Sequence, residues 1–341
     1  MKIRAKIRSR SIQLFAVGLV AMLLTVASSL TAQETESIKI DGSSTVYPIT
    51  QKIVEDYQAN KEQPIGIEVG FSGTGGGFEQ FCQGETDINN ASRPIQLDEM
   101  SACNDAGVRF IELPVAFDAL TVVVNPQNNW LDKLSVEELK QIWSPEAEGQ
   151  ITNWNQVRPS FPDQPLNLYA PGKDSGTFDY FTEAIVGESG ASRSDITQSE
   201  DDNVLVSSVS QDPNALGYFG LAYYQEQASQ MKAIAVDSGA GAVLPSVSTV
   251  EQAQYQPLSR PLFVYVNAAS AQKNQDLRQF IDFYLAQAPG LVTEVGYVPL
   301  PEEAYQINKV TFHQGEVGTV FEGQSQFNLT IPELLRKQAQ F

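Results

Sequence analysis

Apolar residues recur along the chain with two different periods, and stretches of the two kinds alternate. Residues 37–40 and 65–71 show the alternation of a β-strand, whereas residues 46–57 repeat apolar side chains at helical spacing. A glycine-rich loop and a second helical stretch, residues 78–82, follow the second strand. Strand, loop and helix therefore occur twice in succession, which predicts an α/β fold with parallel strands.

The rest of the chain continues this alternation. We predict further strands at residues 86–90, 109–113, 119–124, 166–169 and 262–266, and helices at residues 135–143, 178–185, 277–286 and 334–340. Pro114 should separate two of these strands. Ser135 followed by Glu138 predicts a capping box at a helix start. With 341 residues the chain exceeds one ordinary core, so we expect two domains.

The first 32 residues differ from the rest. Residues 1–10 hold five basic residues and no acidic one, and residues 11–30 are apolar and end in small side chains. This pattern is typical of a secretory signal peptide, cleaved after Ser29 or after Ala32. An uncleaved membrane anchor is the alternative, because the stretch is near the ~18 residues that a span requires. The cleavage region has no cysteine, so we expect a secreted, soluble protein that is not a lipoprotein.

The charge balance excludes some partners. The chain has 41 acidic and 22 basic residues, for a net charge of −19; without residues 1–32 it has 17 basic residues and a net charge of −24. Binding to a phosphate backbone needs clustered Lys and Arg, so we expect no nucleic acid partner. One histidine and two cysteines are too few for the usual His/Cys metal site, and we expect no metal and no cofactor.

The two cysteines, Cys82 and Cys103, lie in one segment. In an exported protein a local disulfide is the default expectation. It would close a loop of about 20 residues and contribute ~3 kcal/mol in the chain-entropy model. Two free buried thiols are the alternative.

Three loops share one design, in which a strand is followed by small and hydroxylic residues and then by a helix. They lie at residues 42–45, 72–77 and 174–177. Unpaired N–H groups at a helix start attract anions, and glycine allows close approach. Each loop alone is typical of an ordinary helix cap, and a structural or adhesion protein would need all three to be caps. Three such loops at strand ends favour a small-anion site, since none matches a nucleotide motif.

Arg93 is the candidate cation of this site. It follows the predicted strand at residues 86–90 and precedes Pro94, which fixes a turn. A planar guanidinium suits bidentate contact with an oxyanion. A surface arginine is the alternative.

The motifs occur together in the order of a known family: residues 41–48, 72–77, 91–95, 174–178 and 217–220. In them the chain resembles the periplasmic phosphate-binding proteins of bacterial phosphate ABC transporters, the PstS family, and most of all its cyanobacterial SphX-like branch. The resemblance covers about residues 38–340.

The resemblance implies a two-lobed type II periplasmic binding fold of the α/β class, with a mixed sheet flanked by helices in each lobe and a two-strand hinge. Lobe one would comprise residues 38–117 and 257–341, and lobe two residues 118–256. The crossings would lie at residues 115–124 and 259–266. The resemblance further implies a monomer in the periplasm that binds inorganic phosphate and delivers it to an ABC transporter permease.

Carried over motif by motif, the phosphate-binding residues would be Ser44, Thr45, Val46, Thr74, Arg93, Ser175, Gly176 and Thr177. Two departures concern specificity: the best-known relatives have an aspartate at the position of Arg93 and an arginine at that of Pro171. Such an aspartate accepts a proton from phosphate, which sulfate cannot donate. Asp174 could take this role, although an N-cap carboxylate is the better interpretation. Sulfate or arsenate therefore remains an alternative ligand.

A secreted hydrolase is the remaining hypothesis, because Asp174-Ser175-Gly176 superficially resembles a nucleophile motif. A serine nucleophile needs a histidine base, and His313 is the one histidine of the chain. It falls in a loop-like stretch, residues 311–318, where a surface residue is the better interpretation. We therefore expect no catalytic residues.

Overall fold

The computed structural model describes residues 37–62 and 64–340. The predicted signal peptide and its cleavage sites lie outside the described residues. The strands are β1 Ile38–Gly42, β2 Ile67–Val69, β3 Ile88–Ala91, β4 Phe110–Ala119, β5 Thr121–Val124, β6 Lys133–Ser135, β7 Asn167–Pro171, β8 Thr197–Ser199, β9 Ala215–Phe219, β10 Lys232–Ala233, β11 Ala235–Asp237, β12 Ala242–Val243, β13 Ser259–Asn267 and β14 Val298–Pro299.

The helices alternate with these strands, and one 3-10 turn lies at Pro145–Ala147. They are α1 Tyr47–Ala59, α2 Thr74–Cys82, α3 Leu97–Asp105, α4 Val136–Trp143, α5 Trp154–Val157, α6 Gly176–Ile185, α7 Asp202–Gln211, α8 Leu221–Glu226, α9 Val247–Glu251, α10 Ala268–Lys273, α11 Gln275–Val295, α12 Glu302–Gln314 and α13 Ile331–Gln338. The predicted capping box is present: Ser135 Oγ accepts from Glu138 N–H at 3.1 Å, and Glu138 Oε2 accepts from Ser135 N–H at 2.9 Å.

The strands form two main mixed sheets and a small one. The six-stranded sheet has the order β14-β4-β13-β3-β1-β2, in which β1 is parallel to β2 and β3, and β13 is antiparallel to β3 and β4. The five-stranded sheet has the order β10-β5-β9-β7-β8, in which β7 is parallel to β8 and β9. The small sheet has the order β12-β11-β6. The predicted α/β class with parallel strands is thus confirmed.

The chain passes between the two main sheets twice. It leaves the six-stranded sheet at the end of β4 and enters the five-stranded sheet at β5, with Leu120 between them. It returns between β12 and β13. The two passages touch, because Leu120 N–H donates to Leu258 O at 2.8 Å and Tyr255 Oη donates to Leu120 O at 2.9 Å. These contacts place both passages side by side between the sheets.

Pro114 does not separate two strands as predicted, because it lies within β4. The register between β4 and β13 shifts at this point: Leu262 pairs with Ala116, and Phe263 pairs with Pro114. Val115 is the extra residue of a bulge, and a bulge is where a sheet tolerates proline. Helix α3 was also not predicted, because only Cys103 of its nine residues is buried and the apolar period is weak.

Cys82 and Cys103 form the predicted disulfide, which joins the last residue of α2 to α3. Both cysteines are buried. Replacing both by alanine is expected to lower the free energy of unfolding by about 3 kcal/mol, because the bond restricts a loop of 21 residues in the unfolded chain. Urea unfolding under non-reducing conditions measures this difference. A change below about 1 kcal/mol would contradict the chain-entropy account.

Within residues 37–62 and 64–340, no helix is long and apolar enough to cross a membrane. The same residues contain no cluster of three or more His, Cys, Asp or Glu side chains that could hold a metal ion.

Candidate functional site

The three predicted loops meet at the interface between the two main sheets. The loop at residues 42–45 follows β1 and the loop at residues 72–77 follows β2, both in the six-stranded sheet. The loop at residues 174–177 follows β7 of the five-stranded sheet. The hydroxyls of Thr45 and Thr177 lie 2.9 Å apart, and Gly75 N–H donates to Asp174 O at 2.8 Å. All three loops therefore converge, as expected for segments at strand ends.

Each loop brings at least one unpaired backbone donor to this interface. Thr45, Thr74 and Gly176 are buried, and their N–H groups find no hydrogen-bond acceptor in the described part of the chain. Buried N–H groups are paired in the great majority of cases. Thr74 and Gly176 are also the first residues of α2 and α6, where the helix dipole adds positive potential. The arrangement can hold an anion in contact with several donors at once.

Other predicted site residues already have partners within the protein. Ser175 caps α6, with its Oγ accepting from Thr177 N–H at 3.1 Å. Val46 N–H donates to Ser43 O at 3.2 Å. Ser44 Oγ donates to Asp202 at 2.8 Å, across the interface. The structure thus brings these residues to the site, with their hydrogen bonds directed to the protein.

Thr74 has a neighbour that the sequence analysis missed. Thr74 Oγ1 accepts from Ser92 N–H at 3.1 Å and lies 3.3 Å from Ser92 Oγ. Ser92 directly precedes Arg93, and a hydroxyl at the end of β3 was the available signal.

Arg93 is buried rather than a surface residue, and it is held by two carboxylates. Its Nε donates to Asp179 at 2.7 Å, and Nη1 and Nη2 donate to the two oxygens of Glu99 at 2.8 Å each. Nη1 also donates to Pro94 O at 3.2 Å. Burial lowers the pKa of Arg93, but Glu99 and Asp179 raise it above its usual value. The second N–H of Nη2 has no partner among the described residues. Nη2 lies close to Gly75, since a Cβ on that glycine would be 3.7 Å from it.

Asp174 is exposed, and its carboxylate does not cap α6, so the N-cap interpretation is wrong. Ser175 is the cap because its hydroxyl reaches the Thr177 N–H. Asp174 instead contributes its backbone, with its N–H donating to Glu200 at 3.1 Å and its carbonyl accepting from Gly75. Burial raises the pKa of Glu200 to about 7.

Arg260 is a fully buried cation that the sequence analysis did not select. It lies in β13 opposite Asp118 of β4, and its Nη2 donates to Asp118 Oδ2 at 3.0 Å. The same Nη2 donates to Thr177 Oγ1 at 2.8 Å. A single arginine at the start of an apolar strand was the available signal.

Asp202 is a second buried acid at the interface. Burial raises its pKa to about 7; the Ser44 hydrogen bond and the charge of Arg260 oppose this shift, and Asp118 and Asp201 add to it. Tyr223 Oη donates to Ser44 O at 2.8 Å, so Ser44 is held on both its carbonyl and its hydroxyl. Asp202 thereby joins the five-stranded sheet to the first loop.

Replacing Asp202 by asparagine is expected to remove part of the pH dependence of stability. The native protein keeps this proton up to about pH 7, whereas the unfolded chain releases it near pH ~4. Because the native state binds more protons in this range, the wild-type free energy of unfolding falls as the pH rises. Urea unfolding should show the variant gaining about 2 to 4 kcal/mol relative to wild type between pH 4 and 7. A pH-independent difference would contradict this assignment.

His313 is a surface residue, as expected, but it lies in helix α12 rather than in a loop. The helix continues to Gln314 because Gly315, at φ 68°, provides its left-handed end. His313 Nε2 lies 2.9 Å from Asp282, and its side chain is 57% exposed. Ser175, by contrast, is buried and caps α6. The structure does not bring the two together as a nucleophile and its base.

Comparison with known proteins gives one family. The family model described as a PBP superfamily domain matches residues 27–288. The chain is 61% identical to Protein SphX of Synechocystis sp. over 325 residues, which cover 95% of this chain and 96% of the relative. It is 35% identical to the phosphate-binding protein PstS of Staphylococcus saprophyticus over 269 residues, which cover 79% and 82%.

The fold is similar to solved structures as well. A possible phosphate binding protein from Planctomyces limnophilus matches with a TM-score of 0.60 at 39% identity, over 83% of this chain and 99% of that one. The mixed sheets flanked by helices are a type II periplasmic binding fold, as the sequence resemblance implied. The chain therefore belongs to the PBP superfamily and, within it, to the family of SphX and PstS proteins.

Proposed function

We propose that this protein is a secreted receptor that binds one inorganic phosphate between its two main sheets. The observation that carries the proposal is the convergence of three buried, unpaired N–H groups, those of Thr45, Thr74 and Gly176. A tetrahedral oxyanion offers acceptors in several directions at once, so it can satisfy donors from different loops. The names of the SphX and PstS relatives support phosphate as this oxyanion.

The proposed contacts are those carried over from the family. Hydroxyl or backbone donors would come from Ser44, Thr45, Val46, Thr74, Ser175, Gly176 and Thr177, and Arg93 would add its remaining Nη2 donor. In this proposal the direct hydrogen bond between Thr45 and Thr177 opens, and each hydroxyl turns to a phosphate oxygen. No side chain acts as a nucleophile or base, so the protein binds phosphate without reaction.

We propose that each main sheet belongs to one lobe. Lobe one comprises residues 38–117 and 257–341, and lobe two comprises residues 118–256. The adjacent passages near Leu120 and Leu258 would form the hinge. Since the three loops touch across the interface, the lobes must part to admit an anion and close to hold it. We further propose that the monomer works in the periplasm and delivers phosphate to an ABC transporter permease.

Equilibrium dialysis of the mature chain with radiolabelled phosphate tests the ligand. We expect saturable binding of one phosphate per chain at micromolar concentration or below, displaced by unlabelled phosphate and not by equal sulfate. Stronger displacement by sulfate would assign the site to another oxyanion. Absence of saturable binding of phosphate, arsenate and sulfate would reject the anion receptor altogether.

A further inference from the structure

A buried ion pair connects the two passages between the sheets. Arg260, the second residue of β13, and Asp118, near the end of β4, are direct cross-strand partners. Both side chains are fully buried, and Asp118 Oδ2 accepts from Arg260 Nε at 3.2 Å and from Nη2 at 3.0 Å. Asp118 Oδ1 accepts from Leu221 N–H at 2.9 Å. The pair is thus held by two strands of the six-stranded sheet and by the first N–H of α8, the helix that follows β9.

The guanidinium of Arg260 extends from this pair to the three-loop interface. Its Nη2 donates to Thr177 Oγ1 at 2.8 Å and lies 3.5 Å from Thr45 Oγ1, and its Nη1 donates to Gly176 O at 3.2 Å. Arg260 therefore contacts loops that belong to different sheets. Arg93, by comparison, directs its donors mainly to Glu99 and Asp179.

The contact with Arg260 occupies one acceptor position of the Thr177 hydroxyl. Arginine only donates, so Thr177 Oγ1 must accept the hydrogen bond from Arg260. The hydroxyl proton of Thr177 is then left for another acceptor. Thr45 Oγ1 lies 2.9 Å away, and either of the two hydroxyls can be the donor in this contact. An anion between the loops would compete for the same proton.

Two carboxylates contact Arg93, whereas Asp118 is the one carboxylate that contacts Arg260 in the described part of the chain. Arg260 thus has one carboxylate in direct contact, and the buried Asp202 interacts with its charge at longer range. Burial raises the pKa of Asp118, and Arg260 opposes this shift. Asp118 accepts from Nε and Nη2, whereas the other contacts of the guanidinium are with Thr177 Oγ1 and Gly176 O of the third loop.

We propose that Arg260, positioned by Asp118, is the principal cation of the anion site and turns the Thr177 hydroxyl into a donor to the bound oxyanion. This inference rests on the proposed function and adds a residue to it. It assigns to the hinge strands, rather than to a loop, the positive charge that the ligand needs.

The test is phosphate calorimetry of Asp118→Asn/Arg260→Gln, which removes both charges and leaves no buried acid without a partner. We expect binding about 10- to 100-fold weaker than wild type, the range for a lost hydrogen bond to a charged group. The matched control is Asp195→Asn/Arg193→Gln. Arg193 is also buried, but it donates to Asp195, Ile142 O and Ile151 O, away from the three loops. The control should bind within about twofold of wild type.

A double variant that binds phosphate as tightly as the control would overturn the inference and leave the proposed function intact. A wild type that binds no phosphate would instead reject the proposed function. If circular dichroism shows that the double variant does not fold, a crystal structure of the wild type with phosphate tests the inference instead. We expect an Arg260 Nη atom within about 3.2 Å of a phosphate oxygen and the Thr177 hydroxyl on the same ion. A bound phosphate that contacts neither Arg260 nor Thr177 would contradict the inference.

Discussion

Replacing Gly176 by alanine is expected to weaken phosphate binding by at least about 100-fold while the protein stays folded. A Cβ at this position would lie 2.8 Å from both Thr74 Cβ and Ser92 Oγ. These atoms belong to the other sheet, so the added methyl group would hold the two sets of loops apart. An anion that needs donors from both sides then loses part of them. Alanine itself suits the first turn of a helix, so α6 should persist.

Calorimetry of the variant measures this loss, and Gly290→Ala is the matched control. Gly290 lies in α11, and a Cβ there would meet nothing within 4 Å. The control should bind phosphate as wild type does and melt no lower, since alanine favours a helix. Equal affinity of Gly176→Ala and wild type would show that the loops need not meet when phosphate binds.

Replacing Arg93 by alanine is expected to lower the free energy of unfolding by about 3 to 5 kcal/mol. The arginine is 2% exposed, and Glu99 and Asp179, at 13% and 15%, would keep their charges without this counter-ion, although Glu99 would still accept from Gln96 N–H. Glu99 lies in the first turn of α3 and Asp179 lies in α6, so the variant would also lose a contact between elements of different sheets. Urea unfolding at pH 7 measures the change.

Arg158→Ala serves as the control for this prediction. Arg158 also forms an ion pair, with Glu138, but its side chain is 36% exposed. An exposed pair contributes at most about 1 kcal/mol, so the control should be close to wild type. A loss in Arg93→Ala no larger than that of the control would mean that burial of this arginine does not stabilise the protein. Phosphate affinity of the Arg93 variant is interpretable only once its fold is verified.

Local sequence signals predicted the parts of the site that depend on local structure. The loops around Thr45, Thr74 and Thr177 were found because glycines and hydroxyls follow strand patterns and open helices. Their convergence followed from a general property of α/β sheets, namely that ligands bind at strand ends. Resemblance to a family supplied two proposals that no local pattern could, the division into lobes and phosphate as the anion.

The residues that sequence analysis missed depend on partners far away in the chain. Arg260 and Asp118 are 142 positions apart, and Ser44 and Asp202 are 158 positions apart. A single charged residue in an apolar strand does not reveal its partner. Pro114 was misinterpreted for a related reason, because the bulge that accommodates it depends on the register with β13.

The negative charge of the chain is compatible with anion binding. At physiological ionic strength the field of exposed acids is screened within about 8 Å. The proposed site is buried, and its donors are N–H groups and hydroxyls in direct contact with the ligand. The net charge of −24 without residues 1–32 therefore acts mainly on the rate of encounter.

Titration calorimetry of the ligand-stripped mature chain with phosphate, in the presence of excess sulfate, tests the central claim most directly. The account predicts one phosphate bound per chain, with an affinity that the sulfate leaves unchanged within about twofold. A binding isotherm that shows no saturation with phosphate, even without sulfate, would contradict the account. The three buried N–H groups would then not form a phosphate site.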